Sequence, residues 1–344
     1  MGRIASYRNL TALVTGASSG IGRMLALRLA REGAAVALVA RRVPELEAVA
    51  AEVRAAGGSA LPISCDVSDA ASVENTCAEA LDHFGCIDLL VNNAGYGHHR
   101  TFLEWDLADM ERMMQVNYVG ALRFTKLLLP QMAGRGRGWI VLVASVAGRI
   151  GTPGESAYAA TKFAMVGLGE ALSIELEDAG IHVLTVCPGV IRTPFFDAEA
   201  LERMPAVARR RFVEPEKLVE AILKALARGR RQLTYPRSIA IACIVKALEA
   251  EDDLKALLKD ESDQVRRRAL EALAKFASVA WEPMARAALN TETPDLALQA
   301  QSLLKNAELL RPEDVTVLTS SRNPEVRRYG EWAARELKQR GETP

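Results

Sequence analysis

The sequence lacks the marks of a protein that binds nucleic acid or a membrane. Its 43 lysines and arginines are balanced by 43 aspartates and glutamates, and no long block of one sign occurs. This balance argues against nucleic acid or an anionic membrane as the partner and favours a small molecule. The longest late apolar run, IAIACIV at 239–245, is far too short for a membrane span, and the first ten residues lack a signal peptide's apolar segment.

Cysteine is scarce and follows no pairing pattern. The odd set is scattered, without a C-x-x-C pair and without histidines at metal-ligand spacing (Cys65, Cys77, Cys86, Cys187 and Cys243). We therefore expect reduced, mostly buried thiols in a cytoplasmic protein, with no metal and no thiolate nucleophile. Two histidines, His98 and His99, lie in a predicted loop at the edge of a cleft, and we interpret both as solvated side chains.

The chain does contain a regular alternation, from Thr11 to about Tyr235, of short β-branched apolar segments and longer segments of helical periodicity. This alternation predicts βαβ units, and strands that are apolar almost throughout indicate a parallel sheet buried on both faces. The predicted strands are 11–15, 35–40, 60–65, 87–92, 139–144, 182–187 and 231–235, and the predicted helices are 20–32, 44–56, 69–84, 106–132, 156–179 and 215–228. We therefore predict a doubly wound parallel α/β sheet of Rossmann type, with its ligand beyond the carboxyl ends of the strands.

The strand signal ends near Ser238, after which the periodicity is helical. Three segments align at Val265, Leu296 and Val326, offset by 31 and then 30 residues, and each follows a shorter apolar helix. A helix pair repeated at this period is typical of an α-solenoid, and the unit resembles short HEAT-type repeats. We predict a first domain over 1–237 and a smaller all-α, HEAT-like repeat domain over 238–344. The alternative is an ordinary helical extension packed against the first domain.

A glycine-rich segment, VTGASSGIG at 14–22, leaves the first predicted strand and opens the first predicted helix. Its glycines, Gly16, Gly20 and Gly22, permit a tight turn and let backbone amides approach a diphosphate at the helix N-terminus. A glycine-rich turn alone is a weak signal, but this one has the required position between a strand and a helix.

The segment YAATK at 158–162 has a phenol and an ammonium group four residues apart on a predicted helix. Tyr158 and Lys162 therefore lie on one face, where their side chains can reach a common point. An unperturbed tyrosine titrates near pH ~10, so proton exchange at neutral pH requires a nearby cation, which Lys162 can supply. The same spacing also occurs on many solvated helices.

Further motifs follow in a fixed order: NNAG at 92–95, Asn117 in QVNYVG, Ser145 at the end of the fifth predicted strand, YAATK, and PGVIRT at 188–193. With the glycine-rich loop, this ordered set resembles the short-chain dehydrogenase/reductase family over roughly residues 8–236. The resemblance implies a nicotinamide cofactor and the catalytic set Ser145, Tyr158, Lys162 and Asn117. In that set the tyrosine exchanges the proton, the lysine also binds the nicotinamide ribose, the serine hydrogen-bonds the substrate oxygen, and the asparagine holds a water of the proton relay.

The end of the second predicted strand indicates which cofactor is used. An acidic residue there would bind a ribose 2′-hydroxyl and repel a 2′-phosphate, but this sequence has Ala40, Arg41 and Arg42. We therefore predict NADP(H) rather than NAD, with Arg41 as the first candidate for the phosphate; a solvated arginine pair is the alternative. Together with the glycine-rich loop and Arg41, the family resemblance implies the following cofactor-binding residues: Gly16, Ser18, Ser19, Gly20, Ile21, Gly22, Arg41, Asp66, Val67, Asn93, Tyr158, Lys162, Ile191 and Thr193.

The function predicted from these motifs is an NADP(H)-dependent oxidoreductase acting on a carbonyl or secondary alcohol. The segment at about 195–212 carries apolar residues among charges, so it can close over the cleft as a lid for a moderately apolar substrate, or pack on the core as a surface helix. The resemblance also implies a homo-oligomer through the helices near 106–132 and 156–179. The competing hypothesis is an NADP(H)-binding scaffold whose tail, 238–344, docks a protein partner.

Overall fold

The computed structural model describes residues 3–151, 153–196, 198–203 and 212–236, and in the tail residues 286, 289, 297, 298, 300–302, 304, 312–321 and 323–339. The chain separates into two compact units, 1–240 and 241–344. The predicted repeat positions Val265 and Leu296, and the predicted lid residues Met204 and Val207, lie outside the described residues. The domain boundary after residue 237 stays a prediction.

The first unit is built on one sheet of seven parallel strands, as the alternating apolar pattern predicts. The strands are β1 (Thr11–Thr15), β2 (Ala35–Ala40), β3 (Ala60–Ser64), β4 (Leu89–Asn92), β5 (Gly138–Val143), β6 (Ile181–Pro188) and β7 (Gln232–Tyr235). Their order is β3-β2-β1-β4-β5-β6-β7, so the direction of strand addition reverses between β1 and β4. A doubly wound sheet opens a crevice at this reversal, at the carboxyl ends of its strands.

Helices connect the strands and cover both faces of the sheet. They are α1 (Gly20–Arg31), α2 (Val43–Ala55), α3 (Ala70–Phe84), α4 (Leu107–Met114), α5 (Gly120–Gly134), α6 (Ser156–Glu175), α7 (Ala198–Arg203) and α8 (Pro215–Ala227). Successive strand residues alternate between the two faces: Leu13 packs in one apolar core, and Ala12 and Val14 pack in the other. This burial on both faces explains why the strands are apolar throughout.

The structure differs from the predicted helix at 106–132. A π-helical turn, Gln115–Val119, separates α4 from α5, and it contains the predicted catalytic residue Asn117. Apolar periodicity does not identify such a turn, because it covers only five residues between two regular α-helices, fewer than the window over which a helical period is read. The predicted strand at 87–92 also begins later, since Asp88 lies before β4 and its side chain is bonded to other segments.

In the second unit, the described residues include two helices, α9 (Pro312–Thr319) and α10 (Pro324–Gln339). Both occur where the sequence predicts the third helix pair. Val315 of α9 and Ala333 of α10 are buried in one apolar cluster, and a Cβ at Gly330 would lie 2.7 Å from the amide nitrogen of Thr319. The two helices therefore pack closely, while the repeat over the whole of 238–344 stays a prediction.

Candidate active site

A cavity of about 950 Å³ lies at the carboxyl ends of the strands. It runs from the glycine-rich loop after β1, past the ends of the neighbouring strands, to the first turns of α6 and the segment after β6. All predicted site residues except Gly22 and Asn117 line this cavity: Gly16, Ser18, Ser19, Gly20, Ile21, Arg41, Asp66, Val67, Asn93, Ser145, Tyr158, Lys162, Ile191 and Thr193. The fold thus brings together residues that are up to 177 positions apart (16 to 193).

The glycine-rich loop is shaped by a left-handed backbone and by close packing. Gly16 has φ +68°, and a Cβ there would lie 2.8 Å from the Asn93 side-chain nitrogen. Gly22 lies behind the loop, where a Cβ would overlap the Gly16 carbonyl. Ser19 is the N-cap residue of α1 but makes no side-chain capping hydrogen bond within the described residues. The first amides of α1 are therefore disposed to bind an anion at the cavity, and the cradle fits a diphosphate.

Asn93 holds this loop against the end of β4. Its Nδ2 donates to the carbonyl oxygens of Thr15, at 2.9 Å, and Gly16, at 3.4 Å, while its main-chain N–H donates to the Thr15 hydroxyl at 2.9 Å. The side chain predicted to border the cofactor is therefore also a structural brace. Substitution of the Asn93 side chain would remove the hydrogen bonds to the Thr15 and Gly16 carbonyl oxygens, so we expect this position to tolerate little change.

The end of β2 presents positive charge to the cavity. Arg41 and Arg42 both line it, and Arg42 donates to the Ser18 hydroxyl at 3.1 Å and pairs with Glu45 at 3.3 Å. Nearby, the Ser68 hydroxyl hydrogen-bonds the Asp66 carboxylate at 2.6 Å and holds the pKa of Asp66 below its usual value. A phosphate near Ser18 would thus meet the Arg42 guanidinium group, and Arg41 adds a second positive charge to the same cavity.

Tyr158, Ser145 and Lys162 converge at the other end of the cavity. Ser145 follows β5, and its hydroxyl shares a hydrogen bond with the phenol of Tyr158. The Lys162 Nζ lies 5.6 Å from the centre of the Tyr158 ring and donates to the Val143 carbonyl oxygen at 2.9 Å. The pair that is four residues apart in sequence therefore shares one face of α6, directed at the end of β5 rather than at solvent.

Burial changes the pKa values of this pair in opposite directions. Burial raises the pKa of Tyr158 well above its usual value, whereas the hydrogen bond with Ser145 lowers it. Burial lowers the pKa of the Lys162 ammonium group to about 8. In each case the low-polarity surroundings disfavour the charged form. At neutral pH the tyrosine is thus a protonated phenol beside a lysine that is still largely charged.

Asn117 lies one layer behind the cavity and is 1% exposed. Its Oδ1 accepts from the Tyr96 amide at 2.9 Å, and its Nδ2 donates to the Tyr96 carbonyl at 2.8 Å and to the Thr161 hydroxyl at 3.1 Å. The π-helical turn therefore connects the loop after β4 to α6, beside Lys162. The asparagine fixes the backbone next to the site: its side chain makes three hydrogen bonds, in which both Nδ2 hydrogens donate and Oδ1 accepts one bond.

The segment after β6 supplies an aromatic wall. Phe195 lies 5.7 Å from Tyr158, ring centre to ring centre, and 5.2 Å from Phe196, and both phenylalanines line the cavity. The first residues of the predicted lid therefore lie against Tyr158. Residues 197 and 204–211 of the predicted lid lie outside the described residues.

The interpretation of His98 and His99 as solvated is wrong. The His99 side chain is 14% exposed and its Nε2 lies 3.1 Å from Glu155 Oε1, while the His98 ring is half-buried between Tyr96 and Trp105. His99, Glu155 and Arg203 line the cavity but are absent from the predicted site. Of these three residues, only Glu155 could have been suspected from the sequence, because it lies three positions before Tyr158.

A family model described as short chain dehydrogenase matches residues 10–203. The chain belongs to this family. Short-chain dehydrogenases are oxidoreductases that bind a nicotinamide cofactor and act on CH–OH or C=O groups of small molecules. The matched range contains every described residue that lines the cavity, including the glycine-rich loop and the Ser145, Tyr158 and Lys162 cluster.

This short-chain dehydrogenase is 38% identical over 217 residues to oxidoreductase UcpA of Escherichia coli K12, covering 63% of this chain and 80% of that protein. It is 35% identical to ketoacyl reductase HetN of a Nostoc species, covering 63% of this chain and 75% of that protein. Among solved structures, a short-chain type dehydrogenase/reductase from Mycobacterium marinum matches with TM-score 0.62 and 32% identity, covering 67% of this chain and 94% of that one.

The described residues of the dehydrogenase also show the state of its cysteines and whether metal ligands or membrane-spanning helices occur among them. Cys65, Cys77 and Cys187 are buried free thiols, as the sequence predicts, and Cys86 is partly buried. In the same part of the chain no group of three or more potential metal ligands lies together, and no helix has the length and apolar character needed to cross a membrane. The absence of a metal and the cytoplasmic location stay predictions.

Proposed function

We propose that this protein is an NADP(H)-dependent carbonyl reductase or secondary-alcohol dehydrogenase that uses Tyr158 as its acid and base. The observation that carries the proposal is the Ser145–Tyr158 hydrogen bond beside the Lys162 ammonium group, in the cavity that also contains the glycine-rich loop. A carbonyl bound there meets a hydroxyl hydrogen-bond donor and a protonated phenol together.

The bound nicotinamide supplies or accepts the hydride. Ser145 orients the substrate oxygen, and the Tyr158 hydroxyl donates its proton to that oxygen during reduction or removes it during oxidation. The high pKa that burial gives Tyr158 keeps the phenol protonated, which is the form that reduction needs. Lys162 stabilises the phenolate that remains, because its positive charge lies near the ring. Asn117 holds the Tyr96 loop and, by family resemblance, a water of the proton relay.

The preference for NADP(H) over NAD(H) rests on the end of β2. Arg41 and Arg42 line the cavity, and Arg42 contacts Ser18 of the glycine-rich loop. A 2′-phosphate gains charge-assisted hydrogen bonds from such guanidinium groups, whereas NAD offers no group for them. Arg41 stays the first candidate, because Arg42 already pairs with Glu45.

The test measures NADPH and NADH consumption with aldehydes, ketones and diketones, using wild type and Tyr158→Phe. We expect wild-type turnover to favour NADPH, and Tyr158→Phe to lower kcat by about 100-fold or more without changing the NADPH dissociation constant.

Arg41→Ala should weaken NADPH binding by about tenfold and leave NADH binding unchanged. Arg31 is an exposed arginine outside the cavity lining, so Arg31→Ala should change the affinity for neither cofactor. NADPH binding with no Tyr158-dependent turnover of any carbonyl contradicts the proposal.

The competing proposal of an NADP(H)-binding scaffold with a partner-docking tail gains no specific support, because most of 238–344 lies outside the described residues. The Tyr158→Phe variant separates the two. A scaffold would bind its partner equally well with either residue, whereas the reductase loses turnover.

A further inference from the structure

The cavity extends beyond Tyr158 to a second group of polar side chains. Its residues are His99, in the loop after β4, and Glu155, at the start of α6. Their Nε2 and Oε1 atoms are 3.1 Å apart, and the two side chains are 14% and 20% exposed. A hydrogen-bonded pair at this level of burial has a fixed geometry, unlike an exposed surface ion pair.

The pairing determines what the histidine ring offers to a ligand. A neutral imidazole that donates from Nε2 to a carboxylate has its lone pair on Nδ1. No described residue hydrogen-bonds the His99 Nδ1, and His99 lines the cavity. In its neutral form the ring therefore offers one hydrogen-bond acceptor, which is satisfied by a hydroxyl group and left unsatisfied by a methyl group.

The histidine is held from both sides. Its main-chain carbonyl accepts a hydrogen bond from Arg203 of α7 at 3.2 Å, and the same guanidinium nitrogen contacts both carboxylate oxygens of Glu104, at 3.0 and 3.1 Å. The charge of Arg203 is thus paired with Glu104. Two carboxylates, Glu104 and Glu155, therefore flank the loop that carries His99.

Glu155, the partner of His99, lies near Tyr158. Glu155 is the N-cap residue of α6, three positions before Tyr158, and Cβ atoms at this spacing on a helix lie about 5–6 Å apart. The Glu155 charge is also one of the influences that raise the Tyr158 pKa, which requires proximity. The rest of the surroundings is aromatic: Phe196 lies 6.4 Å from His99, and Phe195 lies 5.7 Å from Tyr158.

We propose that His99 and Glu155 determine substrate specificity by selecting a neutral carbonyl compound that carries a hydroxyl group near the carbonyl, on an otherwise apolar body. The inference rests on the proposed reductase function. His99 Nδ1 accepts the hydroxyl proton, Glu155 fixes the histidine tautomer and repels a carboxylate at the same position, and the phenylalanines pack against the apolar body.

Three probes of one shape test the inference: acetophenone, 2-hydroxyacetophenone and phenylglyoxylate, which place a methyl, a hydroxymethyl and a carboxylate beside the same aryl carbonyl. Dissociation constants are measured on NADPH-loaded Tyr158→Phe, which does not consume the probes, and kcat/KM is measured on the chain with Tyr158. We expect 2-hydroxyacetophenone to be favoured over acetophenone by about tenfold, and phenylglyoxylate to be the poorest ligand.

The variants divide the roles of the two side chains. His99→Phe keeps a ring and removes the acceptor, so the preference for the hydroxyl should vanish while NADPH binding is unchanged. Glu155→Gln keeps a hydrogen-bonding partner and removes the charge, so phenylglyoxylate should improve by about tenfold relative to the hydroxyketone. His98→Phe, next in sequence and outside the cavity lining, should leave both ratios as in wild type.

The failures of the two proposals are distinguishable. The inference is overturned if Tyr158→Phe binds 2-hydroxyacetophenone no better than acetophenone. It is also overturned if adding His99→Phe to Tyr158→Phe leaves the ratio of the two dissociation constants unchanged. If the His99→Phe variant does not fold, Glu155→Gln is used in its place. If the wild type turns over none of the probes but the dissociation constants have the expected ratios, the reductase proposal is overturned for these substrates. The same result supports selection of a hydroxyl group by His99 and Glu155.

Discussion

At the scale of single residues, the site combines a buried lysine with a partly buried tyrosine. Lys162 is 4% exposed, and its ammonium group donates to the Val143 carbonyl. Desolvation lowers its pKa from 10.5 to about 8, so folding disfavours the charge that the proposed chemistry uses. Catalytic sites commonly store such unfavourable free energy, because the neighbouring fold holds the group in place.

This cost predicts a specific pH dependence of stability for Lys162→Met. Between pH 8 and 10.5 the unfolded lysine binds a proton that the folded lysine has lost, so the wild type gains stability as the pH rises. Below pH 8 the full penalty applies. The free energy of unfolding of wild type, relative to Lys162→Met, should therefore rise by on the order of 3 kcal/mol across this window.

Urea unfolding of the cofactor-free protein at several pH values measures this difference. Lys126→Met, at an exposed lysine on α5, is the matched control and should show no such rise. A difference between wild type and Lys162→Met that stays constant from pH 7 to 10.5 would show that the buried lysine keeps its ordinary pKa.

Residue spacing predicted the Tyr158–Lys162 pair of the cavity but not the His99–Glu155 pair. Tyr158 and Lys162 lie on one helix, so a local rule places them together. The pairing of His99 with Glu155 depends on the path of the loop after β4, which neither periodicity nor spacing specifies. Our expectation of solvated histidines failed because polar loop residues are usually exposed, and the bend of this loop was not visible in the sequence.

At the scale of elements, the strands are positioned at their amino ends by Asp88. This carboxylate is 2% exposed; it accepts from the Thr11 amide at the start of β1 at 3.0 Å and from Arg135, beyond α5, at 2.8 Å. Arg137 contributes a third bond at 3.2 Å. Burial raises the pKa of Asp88, but these hydrogen bonds outweigh it and lower the pKa below 3.8. The group thus connects β1, β4 and the entry to β5, opposite the cavity.

Asp88→Asn should therefore destabilise the fold without altering the chemistry. An amide keeps one acceptor for Thr11 but removes the charge that pairs the arginines. Because Arg135 and Arg137 are 33% and 57% exposed and can rehydrate, we expect a loss of roughly 1–3 kcal/mol in urea unfolding at pH 7. The contribution is complete above pH 3.8 and is lost as the pH falls through the lower pKa of the folded state, so the two proteins should converge in acid.

Asp82→Asn, an exposed carboxylate on α3, is the control for this substitution and should be neutral. The kcat of Asp88→Asn should equal that of wild type at temperatures where both are folded. A large fall in kcat with unchanged stability would place Asp88 in communication with the cavity, contrary to its role at the amino ends of the strands.

Among the elements, strands were predicted within one or two residues, whereas the break between α4 and α5 was missed. Strand limits follow from apolar runs that end where the sheet ends. The π-helical turn Gln115–Val119 depends instead on the hydrogen bonds of Asn117 to Tyr96 and Thr161, which join segments distant in sequence. Propensity reports local preference and contains no information on such bonds.

At the scale of the whole molecule, the alternation of strands and helices predicted the doubly wound sheet because parallel strands require a crossover, and crossovers have one favoured hand. The ordered sheet and both apolar cores extend from Ile4 to Tyr235. Ile4 donates a main-chain hydrogen bond to Leu226 of α8, so the two ends of this unit meet. The first unit therefore contains its own core and every described residue that lines the cavity.

A chain ending at Arg237 should fold and retain turnover. It keeps β7, which pairs with β6, and every residue of both cores, so we expect cooperative unfolding and a kcat within about threefold of the full chain. Thermal unfolding and NADPH consumption measure the two properties, and size-exclusion chromatography compares the assembly of both chains. Phe163 and Ile174 on α6 are 45% and 70% exposed, which suits the predicted homo-oligomer interface, and the truncated chain should elute as the same assembly.

Each departure from this result has a separate meaning. An insoluble or non-cooperative truncated chain would show that residues 238–344 complete the core of the first unit, against the predicted boundary after residue 237. A folded chain of reduced size would transfer oligomerisation to the tail. A folded chain that binds NADPH but has lost turnover would mean that the tail contributes to the substrate end of the site, since all residues proposed here for the proton transfer lie upstream of it.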